Sequence, residues 1–184
     1  MPDWRAAWQH SSEGFAAVMP LTGTRAVLAV GTTNVGPDGM NSDSPALRAR
    51  MRATLEDRAM VDGHDPGALF HRVNASLSAS GVGRIDSLAL LSRPGDGMPP
   101  SVAGFGRPLP LVVTPDRLGA PVQGTVSLAR GWAIVMGSPL SGGWPQSGLL
   151  TSGDVDTALS LFTLPSTPGA PLPTRTLLSV LIDG

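Results

Sequence analysis

Apolar residues near the start of the chain occur in short runs that turn residues separate. Residues 14–19 and 25–30 are two such runs, and Pro20 followed by the segment Leu-Thr-Gly-Thr stands between them. This arrangement predicts a β-hairpin. A weaker alternation of polar and apolar residues over 5–10 predicts a further strand at the edge of a sheet.

The apolar period changes after a glycine-rich turn that ends at Gly39. A serine–proline pair at 44–45 is typical of a helix start, and it predicts a first helix that ends near Met60. An aspartate–proline pair at 65–66 repeats this signal, and Gly81 is expected to end the second helix. The predicted apolar faces consist of Leu47, Met51 and Leu55 in the first helix and of Leu69, Phe70, Val73 and Leu77 in the second.

The remainder of the chain again has the pattern of short strands and turns. Strands are predicted over 85–92, 101–105 and 108–114, a turn over 115–119, and a hairpin that joins 122–128 to 132–137. Asp154 is expected to cap a last helix that runs to about Leu164, and 175–182 to form a buried final strand. Without an internal repeat or a break in composition, the pattern predicts one domain over 1–184. Its class is α/β, a sandwich with largely antiparallel sheets.

Composition excludes several classes of function. Hydrophobic residues make up 41% of the 184 residues, which is typical of a folded chain, and the formal net charge of −1 argues against nucleic-acid binding. Cysteine is absent, and all 13 basic residues are arginine, so disulfides, thiolate metal sites and a catalytic lysine are excluded. No apolar run approaches the ~18 residues of a membrane span, and no signal-like segment begins the chain. We therefore expect a cytoplasmic protein.

Common catalytic motifs are missing from the sequence. The spacing of Gly-x-Ser-x-Gly does not occur, and the three histidines are far apart. His71 is expected to be a helix-surface or half-buried histidine. Arg48 and Arg52 share a helix face and could hold a phosphate, but the acidic residues interleaved with them favour a solvated face.

Several segments, taken in order, resemble a known family. They are AVLAVGTTNVGPDG, ALRARMRATLEDRAM, DPGALFHRVNASLSA, IDSLALL, SVAGFGRPLPLVV, GTVSLARGWAIVMGSPLSGG and TRTLLSVLI. The series resembles the SpoIIE-like branch of the metal-dependent PPM-type phosphatases, the protein phosphatase 2C superfamily. This resemblance implies an αββα sandwich of two packed, largely antiparallel sheets flanked by helices.

The resemblance also implies a site for two Mn²⁺ or Mg²⁺ ions that aspartates hold at four places. In this chain those places read EGFAAVM in the early strand, Gly31-Thr32, Gly137-Ser138 and Pro173-Thr174. None of them carries an aspartate, and their one acidic residue, Glu13, precedes the predicted strand. Neutral hydroxyls cannot replace several anionic ligands of hard dications. We therefore predict no catalytic residues and no metal cofactor.

A phosphatase fold without its metals is expected to act by binding. The resemblance implies a pseudophosphatase that works as a regulatory module in a bacterial partner-switching or sigma-factor-type signalling pathway. Its partner is then a regulatory protein or a second copy of the chain, with no nucleic acid and no membrane. Trp144 is either an interface anchor or a lid over the empty cleft. The predicted binding residues are Thr32, Thr33, Asn34, Asp38, Ser138, Ser141 and Trp144.

Two alternatives remain open from the sequence. In the first, Glu13, Asp38 and Asp43 rebuild a single-metal site, and the protein is an active serine/threonine phosphatase. In the second, the emptied cleft binds a small molecule or catalyses an unrelated reaction. Metal dependence of activity separates the first alternative from the pseudophosphatase.

Overall fold

Two five-stranded antiparallel sheets and two helices make up the described part of the protein. The computed structural model describes residues 4–9, 14–21, 24–34, 44–93, 99–114, 117–137 and 177–182. The strands are β1 (Trp4–Gln9), β2 (Gly14–Pro20), β3 (Arg25–Thr33), β4 (Gly83–Ser92), β5 (Ser101–Gly106), β6 (Leu111–Thr114), β7 (Arg117–Pro121), β8 (Thr125–Ser127), β9 (Ala133–Gly137) and β10 (Leu177–Ile182). The helices are α1 (Ser44–Asp62) and α2 (Pro66–Ser80).

The sheets pack face to face, and the helices cover one of them. The covered sheet has the order β2-β3-β4-β5-β8, and the other has the order β1-β10-β9-β6-β7. All the pairings between strands are antiparallel. The predicted α/β class with packed antiparallel sheets is confirmed, and β1 lies at a sheet edge as predicted.

Strand β3 is buried on both faces, which explains why its sequence is a continuous apolar run rather than an alternation. Val27 and Ala29 belong to the core between this sheet and the helices. Leu28 and Val30 belong to the core between the two sheets. The strand therefore takes part in both cores of the protein.

Helix α2 begins and ends at the residues that the sequence indicates. The Asp65 side chain accepts hydrogen bonds from the backbone N–H groups of Gly67 (2.8 Å) and Ala68 (3.2 Å), and Pro66 follows it directly. Gly81 ends the helix in the left-handed conformation, with φ of 65°. The helix buries Leu69, Val73 and Leu77 against the sheet, in agreement with the predicted apolar face.

Two local predictions are wrong. A turn was expected over 115–119, but three of those five residues belong to β7, which pairs with β6 from Arg117 onward. The expected hairpin of 122–128 with 132–137 does not form, because β8 pairs with β5 and β9 pairs with β6 and β10. The connection crosses between the sheets: the Leu128 N–H donates to Pro100 O at 2.7 Å, and the Gly131 N–H donates to Ile182 O at 2.9 Å.

The last strand, β10, is confirmed, with Leu178, Val180 and Ile182 buried. The helix predicted after Asp154 lies outside the described residues. Neither α1 nor α2 combines the length and the apolar character that crossing a membrane would require.

The double burial of β3 leads to a stability prediction. Leu28→Ala removes a fully buried side chain from the core between the sheets, so we expect a loss of about 2–5 kcal/mol in the free energy of unfolding. Val61→Ala on α1, where the valine is 67% exposed, should change it by less than about 0.5 kcal/mol. Urea unfolding of both variants measures the difference, and equal losses would contradict this account of the core.

Candidate functional site at the end of strand β3

Three of the predicted site residues, Thr32, Thr33 and Asn34, lie at and directly after the end of strand β3. We call these three residues the mouth. Thr33 is buried, Thr32 is half-buried and Asn34 is exposed. The Asn34 N–H donates to Val82 O at 2.9 Å and its side-chain amide donates to Gly81 O at 3.3 Å, which ties the end of the strand to the turn after α2. The predicted site residues Asp38, Ser138, Ser141 and Trp144 lie outside the described residues, as do Glu13 and Asp43 of the alternative metal site.

A β-bulge lies directly beside the mouth. Val30 pairs with Ser87, but the next residue, Gly31, pairs with Ile85, so that Asp86 is the extra residue on β4. A side chain at Gly31 would have no room, because a Cβ there would lie 2.1 Å from Arg84 O. The bulge, and with it the direction of Asp86, therefore depends on glycine at this position.

The bulge places a buried carboxylate against the mouth. Asp86 is 6% exposed, and its Oδ2 accepts a hydrogen bond of 3.1 Å from the Thr32 hydroxyl. Its Oδ1 lies 2.8 Å from Nε of Arg84, whose own side chain is largely exposed. A buried charge is costly unless it is paired and hydrogen-bonded, and here Thr32 and Arg84 meet both needs.

Sequence reasoning missed Asp86. The residue stands inside the segment IDSLALL, which was interpreted only as a buried strand. The signal that could have found it is the carboxylate itself, since acidic residues are rarely buried in a strand without a partner.

Asn74 connects helix α2 to the same part of β4 through two hydrogen bonds. Its Nδ2 donates to Ile85 O at 2.9 Å, and its Oδ1 accepts from the Ile85 N–H at 2.7 Å. Both backbone groups of Ile85 are thus satisfied by a single side chain, directly before the bulged residue. Asn74 stands in the segment DPGALFHRVNASLSA, which contributed to the family resemblance, and the structure gives its side chain this positioning role.

Beyond the bulge, a groove opens between α2 and the ends of β4 and β5, with a volume of about 1060 Å³. Phe70, His71 and Phe105 form a cluster of rings in its wall, with centroids 5.1–5.7 Å apart. Arg107 lies two residues after Phe105 in the chain, and its backbone N–H donates to Asp86 O at 2.9 Å. His71 is exposed on the helix surface, as predicted.

The arginine-rich face of α1 is a solvated one, as the sequence favoured. Arg52 pairs with Glu56 one turn later, with 3.0 Å between Nε and Oε1, and both side chains are about half exposed. Arg58 lies 3.9 Å from Asp57. Both contacts are ion pairs at the helix surface, of a kind that contributes little to stability.

The described residues do not fit a two-metal centre. Nowhere in the described part of the chain do three or more histidine, cysteine, aspartate or glutamate side chains come together. Thr32 occupies the place where the family resemblance expects an aspartate, and the carboxylate beside it, Asp86, is engaged by Thr32 and Arg84. Ser87 is fully buried next to Asp86, and its hydroxyl makes no hydrogen bond, so it supplies one neutral oxygen and no charge.

Comparison with solved structures identifies the fold. The RsbU and RsbW domains of a Mycobacterium tuberculosis protein match 100% of this chain at 16% identity, with a TM-score of 0.63. The PP2C phosphatase domain of the Bacillus subtilis cell fate determinant SpoIIE, solved with a fragment of its regulatory domain, matches 98% at 15% identity, with a TM-score of 0.66. RsbX in complex with magnesium matches 98% at 10% identity, with a TM-score of 0.60 and 96% of RsbX covered. The chain has the SpoIIE-like PP2C phosphatase fold.

At these identities the match shows the PP2C fold alone. The chain covers 62% and 63% of the first two of these structures. No protein-family model matches the sequence, and no curated protein matches it significantly. The family resemblance noted in the sequence is thus confirmed at the level of the fold, and the chemistry of this chain has to be argued from its own residues.

The hydrogen bonds of Asn74 predict a specific loss of stability. Asn74→Ala leaves the N–H and the C=O of Ile85 without partners, so we expect the free energy of unfolding to fall by about 2–3 kcal/mol. Ser78→Ala, a substitution at an exposed position of the same helix, should change it by less than about 0.5 kcal/mol. Chemical unfolding measures both, and a neutral Asn74→Ala would show that the helix does not depend on this contact.

Proposed function

We propose that this chain is a degenerate PP2C-type domain, a pseudophosphatase that acts as a regulatory protein-binding module. The observation that carries the proposal is the state of the Asp86 carboxylate beside Thr32. It is the one carboxylate in contact with the mouth among the described residues, and it is satisfied by groups of the chain itself.

Electrostatics supports the proposal. The Arg84 guanidinium, 2.8 Å from Asp86, already supplies a positive charge at this carboxylate. A dication that approached Asp86 would be repelled by Arg84, and Thr32 would offer it only a neutral oxygen. Hydrolysis by metal-bound hydroxide requires several anionic ligands in one place. At the mouth the described residues provide one carboxylate, that of Asp86, and it already contacts Arg84 and Thr32.

The kind of partner follows from the fold by analogy. One structure with this fold combines an RsbU with an RsbW domain, and another belongs to a cell fate determinant and carries part of a regulatory domain. By analogy with these regulatory proteins we infer that this chain binds a regulatory protein or a second copy of itself, in a partner-switching type of signalling. The cytoplasm is the compartment that we propose for it.

Of the mouth residues predicted to bind, Thr32 and Asn34 remain candidates. Thr32 and Asn34 present side chains at the end of β3, whereas Thr33 is 5% exposed and supports the strand from inside. Asp38, Ser138, Ser141 and Trp144 complete the proposed surface. Binding of a small molecule in the emptied cleft is the weaker alternative, because no contact of a described residue favours it.

An active phosphatase is the second candidate, and one observation favours it: a protein with the same fold, RsbX, was solved with magnesium. In that case acidic residues of this chain, among them Glu13, Asp38 and Asp43, would rebuild a metal site. Such a site differs from the pseudophosphatase in one measurable property, which is turnover that depends on a divalent metal.

A phosphatase assay tests the proposal. We expect the full chain to hydrolyse para-nitrophenyl phosphate at the rate of a protein-free blank in millimolar Mn²⁺ or Mg²⁺, because the mouth offers no free pair of carboxylates. The Asp38→Asn and Asp86→Asn variants should be indistinguishable from the unaltered chain.

Turnover that requires metal would overturn the pseudophosphatase, and its loss in one variant would identify the ligand. Loss in Asp38→Asn would support the rebuilt site, and loss in Asp86→Asn would mean that the ion pair with Arg84 opens to admit a metal. Far-ultraviolet circular dichroism of each variant confirms that the fold is intact before activity is compared.

A further inference from the structure

The groove between α2 and the ends of β4 and β5 has features that the mouth does not explain. Its ring cluster is accessible: Phe105 is 36% exposed, one of the few large apolar side chains of the described residues with that much exposure. The Phe105 ring lies 5.2 Å from that of Phe70 and 5.1 Å from that of His71, measured between centroids. Aromatic rings held together in this way form a firm apolar platform at the surface.

The platform lies next to an unpaired cation. Arg107 is exposed, and in the described part of the chain its guanidinium makes no ion pair or hydrogen bond. The other charged residues that line the groove, Arg84 and Asp86, are paired with each other. The groove therefore carries a net positive charge on a chain whose formal net charge is −1.

The sheet edge favours an extended ligand. Strand β8 pairs with β5 only from Ser101 to Ala103, and no other described strand runs beside the outer edge at 104–106. Phe105 and Gly106 at this end of β5 also line the groove. An open edge with an apolar side chain beside it is the arrangement to which extended peptides add.

We propose that the groove docks an extended acidic segment of a protein partner. A carboxylate of the segment pairs with Arg107, and an adjacent apolar side chain packs on Phe105. Arginine and aromatic residues are the types enriched in the energetic centres of protein interfaces. The proposal rests on the proposed function as a protein-binding module and adds to it a location and the chemistry of the partner.

Three peptides of one length test the charge requirement. The acidic probe is Ac-Glu-Leu-Phe-Glu-Leu-NH₂, and the neutral and basic probes carry glutamine or lysine in place of glutamate. In nuclear magnetic resonance titrations of the full chain, the acidic probe should shift the amide signals of Phe105 and Arg107. It should bind about threefold more tightly than the neutral probe, and this ratio should fall as salt is added.

Two variants and a matched control locate the contact. Arg107→Ala should abolish the preference for the acidic probe, and Phe105→Ala should weaken binding of the acidic and neutral probes alike. Arg130→Ala removes another exposed arginine, one that does not line the groove, and should leave all affinities unchanged. Equal binding of acidic and neutral probes, or an unaltered preference in Arg107→Ala, would overturn the proposal.

Other occupants give different results. If a second copy of the chain occupies the groove, the amide signals of Phe105 and Arg107 should shift with protein concentration, and no peptide should bind. That result would also overturn the proposal. If the peptides do not bind, the outcome of the phosphatase assay is unaffected, so only the proposal about the groove would be refuted. Metal-dependent turnover in that assay would instead refute the proposed function, whatever the peptides do.

Discussion

The structure depends on strand β3 being buried on both of its faces. Leu28 and Val30 pack toward the second sheet while Val27 and Ala29 pack toward the helices, so a shift of register by one residue would exchange the two cores. The bulge opposite Gly31 is the one place where this register changes. The bulge adds Asp86 to β4 and directs its carboxylate toward Thr32. The contact between these two residues is therefore a consequence of the register of the sheet.

We propose that the mouth is stable without a divalent ion, although a protein of the same fold, RsbX, was solved with magnesium. Carboxylates gathered around dications repel one another when the metal leaves, and the fold then depends on the ligand. Beside Thr32 the single carboxylate is balanced by Arg84 within the chain, so no external cation is needed to relieve repulsion. We propose that the residues which leave this chain without the metal chemistry also leave its stability independent of a metal.

Much of the fold could be predicted from the sequence because its signals are local. The caps at Asp65 and Gly81 and the apolar run of β3 each indicate one element without reference to the rest of the chain. Strand pairing is different, because β8 and β9 are neighbours in sequence but belong to separate sheets: β8 pairs with β5, and β9 pairs with β6 and β10.

The candidate site was predictable in part for the same reason. The absence of an aspartate after Gly31 can be seen in the sequence, and Thr32 lies near the end of β3. Asp86 could not be assigned, because its role depends on a bulge that moves it out of the alternation of β4. The groove at Phe105 likewise arises from the packing of α2 against β5, which no local pattern encodes.

The central claim is that the mouth of this chain binds no divalent metal, and calorimetry of the full chain tests it directly. Thermal unfolding is recorded with chelator and with Mn²⁺ from micromolar to millimolar concentration. A ligand that binds the folded state at 100 times its Kd adds about 2.7 kcal/mol of stability, which would move the unfolding midpoint by several degrees. We expect the midpoint to stay within about 1 °C across the series, since no binding contributes. A rise of several degrees at sub-millimolar Mn²⁺ would contradict the account.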